Sequence, residues 1–413
     1  MNTSPPPPDC RSANIGLIKG LTFMMFLMFA MTTDAVGVII PEVIRDFDLG
    51  MTAGGAFHYA TMTGIALAGL ALGFLADRLG RKPAIILGLS LFAVSAFLFS
   101  VGEDFGFFVV LLFISGAAIG VFKTAALALI GDISTSTRSH TSTMNMVEGF
   151  FGVGAILGPA IVAWLLATGA SWKWLYVIAG VMSVGLIITA LLVRYPARAK
   201  TSAPPADMKA TLAMMRNPYA LAFSLGTMLY VGVETAIYVW MPTLLAGYTG
   251  SLALLATYAL AVFFVLRAAG RFLGAWMLTR FSWTVVMAVS SALIFACFLG
   301  SALFGRDSAV WLLPLSGLFM SVIYPTLNSK GISCFPKIQH GAVAGVILFF
   351  TCVSAVIAPL AMGAISDLFG GPEYGFVFAT VLAGLLFAAL GLNMVFDPSR
   401  SRLAAQDDTD YAA

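Results

Sequence analysis

Ile85-Ile-Leu-Gly-Leu-Ser-Leu-Phe-Ala-Val-Ser-Ala-Phe-Leu-Phe-Ser-Val101 contains no charge and no polar side chain larger than serine. A membrane-spanning β-strand alternates apolar and polar residues over about ten positions. This stretch is apolar on every face, whichever period is applied. A bilayer core admits only helices or closed barrels, because each backbone polar group needs a partner. The stretch is therefore predicted to be a membrane-spanning helix, and Val181–Val193 reads the same way. Such runs recur along almost the whole chain, which is 60% hydrophobic and 10% charged. Soluble domains carry about 25% charged residues, so a water-soluble globule is excluded.

Each crossing takes about 20 residues. Helices are predicted over 15–42, 53–76, 83–102, 106–131, 141–167, 173–193, 218–246, 252–278, 284–304, 309–332, 340–366 and 374–396. The longest polar stretch between them, 194–217, separates six spans from six. The expected organisation is a tail over 1–14, which includes four consecutive prolines and is expected to be disordered, and a six-helix bundle over 15–193. The cytoplasmic linker, a second bundle over 218–396 and a polar tail over 397–413 follow. The first apolar run is too long for a signal-peptide core, so it is expected to be retained.

With both termini placed in the cytoplasm, fifteen of the 22 Lys and Arg fall inside; Arg45, Lys173 and Arg306 fall outside, and four more lie in or beside spans. That asymmetry fixes the orientation by the positive-inside rule. Trp172, Trp174, Trp283 and Trp311 are expected to act as interfacial anchors. A net charge of +3 gives no reason to expect nucleic acid. Cys10, Cys297, Cys334 and Cys352 have no metal or redox spacing, and no metal or cofactor is expected.

The two halves resemble each other. Gly158-Pro159 recurs as Ala358-Pro359, Gly73 as Gly274, Pro41 as Pro242 and His140 as His340, all at offsets of 200 or 201. Pro41 and Pro242 are taken as markers of the ends of spans 1 and 7. Two parallel repeats suit a transporter whose halves rock about a shared site.

Between spans 2 and 3 stands Gly73-Phe-Leu-Ala-Asp77-Arg78-Leu-Gly80-Arg81-Lys82-Pro83. It resembles the signature loop of the major facilitator superfamily, G-x-L-a-D-R-x-G-R-K. The resemblance implies an all-α membrane fold of twelve helices in two pseudo-symmetric bundles. It also implies that Gly73, Asp77, Arg78, Gly80, Arg81 and Lys82 form a gating loop. The second copy, Gly274 to Phe281, has lost the acid. Further likeness points to the fucose–glucose–galactose proton symporter family. Its residues are Tyr230-Val-Gly232-Val-Glu234 and Trp240-Met-Pro242 in span 7, and Gly270-Arg271 in span 8. Tyr324-Pro325-Thr326 in span 10 and Asn145, Gly152, Gly154 and Gly158-Pro159 in span 5 complete the set.

Ionisable groups inside spans point to function, because each costs about 2.5–3.5 kcal/mol at mid-bilayer. Asp34, Lys123, Glu148, Glu234 and Arg267 qualify. Facing lipid, the five would cost roughly 12–17 kcal/mol together, so they are expected to face water or one another. The superfamily resemblance implies that spans 1, 4, 7 and 10 line the cavity. Asp34 and Glu234 lie 200 residues apart and are candidate equivalents. In the fucose-type family the position matching Lys123 carries a glutamate, that matching Glu148 a glutamine and that matching Phe151 an asparagine. Asp34 lies about one turn from that family's aspartate. Neutral-hexose specificity is therefore not carried over. A lysine suits a carboxylate or phosphate ligand, or equally an internal pair with Glu148.

The expected solute-binding residues are Lys123, Glu148, Asn145, Phe151, Tyr230, Arg267, Tyr324 and Asn328. Asp34, Glu148 and Glu234 are the expected proton carriers. The resulting expectation is a monomeric inner-membrane carrier, both termini cytoplasmic, moving a small polar or anionic solute with protons. Gly154-x-x-x-Gly158-Pro159 resembles the motif of drug antiporters, but Val162-Ala163 replace the glycine pair that follows there. Proton-driven efflux is thus the alternative to uptake. No serine–histidine or metal-ligand set lies in a span, so an enzyme is not expected.

Overall fold

A computed structural model describes residues 14–72, 79–133, 137–195, 214–336 and 339–405. Gly73, Asp77, Arg78 and most of the linker lie outside that set, as does the side chain of Asn145. Among the described residues every regular element is helical.

The first half comprises α1 (Ile15–Thr33), α2 (Val36–Asp46), α3 (Met51–Gly54), α4 (Ala56–Leu72), α5 (Arg81–Leu98), α6 (Phe105–Ile133), α7 (Thr137–Ala167) and α8 (Lys173–Leu192). The second comprises α9 (Pro218–Thr235), α10 (Met241–Leu245), α11 (Ala253–Thr257), α12 (Ala259–Leu278), α13 (Trp283–Phe304), α14 (Arg306–Met320), α15 (Ile323–Ser333), α16 (His340–Phe369), α17 (Pro372–Phe396) and α18 (Arg400–Ala404). A π-helical turn, Ala236–Trp240, joins α9 to α10. Among the described residues eleven helical spans are long and apolar enough to cross a membrane. The second predicted span, α4, is described for 17 residues.

Several spans depart from the single helices expected of them: span 2 is broken at Gly55, between α3 and α4, and span 7 contains the π-helical turn. Span 1 breaks at Asp34–Ala35 and resumes as α2, which contains Pro41. Pro41 therefore does not end the helix as expected; the helix runs on to Asp46. A proline crowds the carbonyl four residues earlier; for Pro41 that is Gly37, within α2, so Pro41 does not account for the break at Asp34–Ala35. Span 10 breaks at Ser321–Val322, where the carbonyl that Pro325 crowds is that of Ser321. Span 8 is preceded by the separate turn α11.

The chain forms two compact units. One holds the residues up to Val36 and those from Ala56 to the linker; the other holds Gly37–Gly55 and everything after the linker. Within the first, α1 packs on α7 and α8, α4 on α6, and α5 on α6 and α8. Within the second, α9 packs on α16 and α17, α12 on α14, and α13 on α14 and α17. Shifting each predicted span by six turns the first set of partners into the second.

The repeat extends to single contacts. A methyl at Gly154 would collide with the carbonyl of Leu27, and one at Gly158 with that of Met31, so glycine lets α7 lie against the α1 backbone. At the equivalent place in the second unit Ser354 Oγ donates to the carbonyl of Met228 at 2.6 Å. In the same unit, Asp367 receives the backbone N–H groups of Met51 and Thr52 at 2.6 and 2.8 Å.

Two lysines fasten α8, one at each end: Lys82 of α5 and its own Lys173, which reaches the connection after α5. Lys82 donates to the carbonyls of Leu191 and Val193 at 2.7 and 3.0 Å, closing the carboxyl end of α8. Lys173, opening α8, donates to the carbonyl of Gly102 at 2.7 Å. Cations at helix carboxyl ends satisfy orphan carbonyls and complement the dipole. Trp174 and Trp311 are exposed. Trp172 and Trp283 are not: Trp172 is buried among Phe57, Phe99, Phe108 and Tyr176, and Trp283 lies against Phe223. For both indoles, ring packing accounts for the burial.

Candidate functional site

Each unit carries intramembrane charges. In the first unit Asp34 occupies the break in span 1, where Thr33 Oγ1 donates to its Oδ2 at 3.1 Å. Lys123, on α6, projects over Phe29 with its ammonium 4.9 Å from the ring centre, and lies 6.0 Å from that of Phe26. A desolvated cation over an aromatic face gains about 0.5–2 kcal/mol. Phe29 also meets Phe151 of α7 at 5.3 Å, and Phe23 stacks on Phe150 at 5.2 Å. Glu148, one turn before Phe151, is exposed, whereas Lys123, Asp34 and Phe151 are half-buried. The α1–α6–α7 packing thus brings Lys123 and Phe151 to one ring, Phe29.

In the second unit the charges are paired. Arg267 of α12 meets Glu234 of α9, with Nη2 2.6 Å from Oε1. Tyr230, one turn before Glu234 on the same helix, places its phenol oxygen 2.8 Å from that Oε1 and 3.0 Å from the carbonyl of Met320. Met320 is the last residue of α14, at the break in span 10. Tyr230 is fully buried, Glu234 is 7% exposed, and Arg267 and Tyr324 are half-buried. The rings of Tyr230 and Tyr324 lie 6.4 Å apart. Asn328, one turn beyond Tyr324, has a buried Oδ1 with no hydrogen-bond partner among the described residues.

Of the acid–base positions of spans 1, 4, 7 and 8, Glu234 and Arg267 are in contact, Lys123 lies over Phe29, and Asp34 occupies the break that follows Phe29's helix. Glu234 and Asp34, paired by their 200-residue offset, both lie where a span departs from regular α-helix, at the break in span 1 and beside the π turn of span 7. Departures of this kind occur in transporters where backbone lines a polar site.

The sequence reading did not include Phe29, Phe26 or the Met320 carbonyl. A phenylalanine among 33 carries no signal of its own, and a backbone acceptor carries none at all. Of the residues expected to form a gating loop, Lys82 is engaged with the end of α8, and Gly80 has positive φ (96°), entering α5 in a conformation that suits glycine. Among the described residues no cluster of His, Cys, Asp and Glu is arranged to hold a metal.

A family model described as Major Facilitator Superfamily matches residues 22–359. The L-fucose-proton symporter of Escherichia coli (strain K12) is 24% identical over 422 residues, covering 92% of each chain. The quinolone resistance protein NorA of Staphylococcus aureus is 30% identical over 188 residues, 44% of this chain and 46% of that protein. The crystal structure of the nucleoside transporter NupG superposes with a TM-score of 0.73 at 15% identity, covering 92% of this chain and 98% of that one.

Proposed function

The chain belongs to the major facilitator superfamily, a family of transporters and not of enzymes, and from that premise we propose that it is a proton-coupled symporter of a small polar or anionic solute. The observation that carries this reading is the Glu234–Arg267 contact at 2.6 Å inside the second unit. Ion pairs in spans are costly and mark solute and proton paths. The full-length similarity to the L-fucose-proton symporter supports uptake with protons. The lysine and the second acid distinguish this chain from a neutral-hexose carrier and favour carboxylate- or phosphate-bearing solutes. Transport then proceeds by alternating access across the inner membrane, as a monomer with both termini cytoplasmic. In the first unit Lys123 on the Phe29 face, with Asn145 and Phe151, and in the second unit Arg267, with Tyr230, Tyr324 and Asn328, are each proposed to bind solute. Asp34, Glu148 and Glu234 carry the proton.

The test is uptake into proteoliposomes under an imposed pH gradient, run over sugars, sugar acids and organic anions. One or more solutes should accumulate only with the gradient, and Glu148→Gln or Asp34→Asn should weaken that dependence. Full gradient dependence in both variants would remove those two acids from the coupling.

Efflux is the second reading, favoured by the NorA similarity and by Gly154-x-x-x-Gly158-Pro159. These glycines have a packing role between α7 and α1 that uptake and efflux share. Raised drug sensitivity of a deletion strain, with unchanged growth on all carbon sources, would favour it over uptake.

A further inference from the structure

The hydroxyl groups nearest Lys123 and Phe29 in the chain are committed to their own helices. Thr32 Oγ1 donates to the carbonyl of Phe29 at 3.0 Å. Thr33 Oγ1 lies 3.1 Å from the carbonyl of Phe29 and 3.1 Å from Asp34 Oδ2, with one proton for the two. Thr124, beside Lys123 on α6, donates to the carbonyl of Gly120 at 2.8 Å. From Met146 to Ala167, α7 carries one polar side chain, Glu148, apart from the exposed indole of Trp164. Along the stretches of α1, α6 and α7 that meet at Phe29, the donors left for a solute are therefore the Lys123 ammonium and, by sequence, the Asn145 amide.

The same stretches are rich in rings. Phe26 and Phe29 are buried beneath Lys123, while Lys123 itself and Phe151, 5.3 Å from Phe29, are half-buried. Gly152 follows Phe151 and comes one turn after Glu148; a methyl there would meet nothing within 4 Å, so space is open along that face of α7. The accessible surface is an ammonium and part of a phenyl ring, over an aromatic floor.

Such a surface discriminates between kinds of acid. A polyhydroxylated acid brings several hydroxyls, and each one withdrawn from water without a partner is costly. An apolar body needs no partners and gains from a ring beside it. Sites of this composition use a few polar groups to orient a mostly apolar ligand.

Resting on the transport reading above, in which the acids carry the proton, we propose that the first unit selects a monocarboxylate with a flat apolar body, of the benzoate or phenylacetate class, against polyhydroxylated acids. Lys123 receives the carboxylate, and Phe151 is the specificity-determining residue, packing against the solute's ring. Phe29 is the positioning residue: it supports the ammonium and braces Phe151 from the same ring.

Calorimetric titration of the purified full-length protein in lipid nanodiscs tests this with benzoate, phenylacetate, phenylacetamide, gluconate and glucuronate. Benzoate or phenylacetate should bind about tenfold more tightly than either sugar acid, as one unpaired buried hydroxyl would dictate. Phenylacetamide keeps the ring and loses the charge, and should bind about tenfold more weakly than phenylacetate. Phe151→Asn should cut the preference for phenylacetate over gluconate by about fivefold, and Phe151→Tyr should keep it. A merely structural Phe151 would weaken every probe alike and leave the ratio unmoved. Lys123→Gln should bind phenylacetate no better than phenylacetamide, with Lys123→Arg restoring the difference. Melting curves without ligand show which variants fold; should Lys123→Gln not fold, the wild-type ratios and Phe151→Asn decide. The proposal is overturned if no probe binds, if a sugar acid binds as tightly as the arenecarboxylates, or if Phe151→Asn leaves the ratio unchanged. If phenylacetate or benzoate binds as expected but neither accumulates under a pH gradient, the transport reading fails and the selectivity stands. If a sugar acid alone accumulates under the gradient, the selectivity fails and the transport reading stands.

Discussion

At the scale of single residues the second-unit ion pair makes an asymmetric prediction. Removing one partner of a buried pair leaves an uncompensated charge and costs about 3–5 kcal/mol, whereas replacing both with apolar residues is often neutral. Arg267→Ala should therefore lower thermal stability strongly. Adding Glu234→Ala to it should recover most of the loss in a detergent melting assay. In the first unit, Phe29→Leu removes the aromatic face beneath Lys123 and should lower stability by about 0.5–2 kcal/mol, with Phe29→Tyr close to wild type in the same assay. Asp34, Lys123, Glu148, Glu234 and Arg267 were legible in the sequence because a charge inside an apolar span has few explanations. Phe29 was not, because its role exists only once α6 lays Lys123 across it.

At the scale of elements, helix ends and close approaches carry the predictions. Lys82→Met removes a charged donor from the end of α8, and hydrogen bonds to charged groups contribute about 1.5–3 kcal/mol. Lys82 is half-exposed, which reduces this to about 1 kcal/mol. A lower melting temperature, partly restored by Lys82→Arg, is the expected result. Nearby, burial pushes the Tyr195 phenol up to about 12. The folded chain thus holds that proton more tightly than the unfolded one. The associated stability is present below the ordinary tyrosine range near pH 10 and is lost as pH rises toward 12. Tyr195→Phe should flatten that alkaline loss in melting curves recorded across the range. Gly154→Val should prevent α7 from reaching α1 and abolish a monodisperse size-exclusion peak. Helix existence was legible from apolar run length. The break at Ser321–Val322 was not, because a proline such as Pro325 disturbs the turn that precedes it; the break at Asp34–Ala35 lies more than one turn ahead of Pro41 and has no proline to announce it.

At the scale of the whole chain, four matched landmarks already indicated two copies of one unit, and the packing within each unit repeats accordingly. The matched contacts of Gly154 with Leu27 and Ser354 with Met228 show what the repeat preserves: a backbone approach, achieved by glycine in one copy and by a serine hydrogen bond in the other. That Gly37–Gly55 belongs with the second unit was not legible in the sequence. That grouping depends on tertiary contacts such as those of Asp367, 315 or 316 residues away.

Polypeptide continuity therefore passes from one unit to the other three times, after Val36, after Gly55 and through the linker. Proteolytic nicking of the linker would leave the fragments still interlocked, because the amino-terminal piece retains a segment that completes its neighbour's fold. Synthesised alone, the carboxyl-terminal piece would lack the helix that Asp367 caps, and complementation by the other fragment in the same cell should be required for it to accumulate.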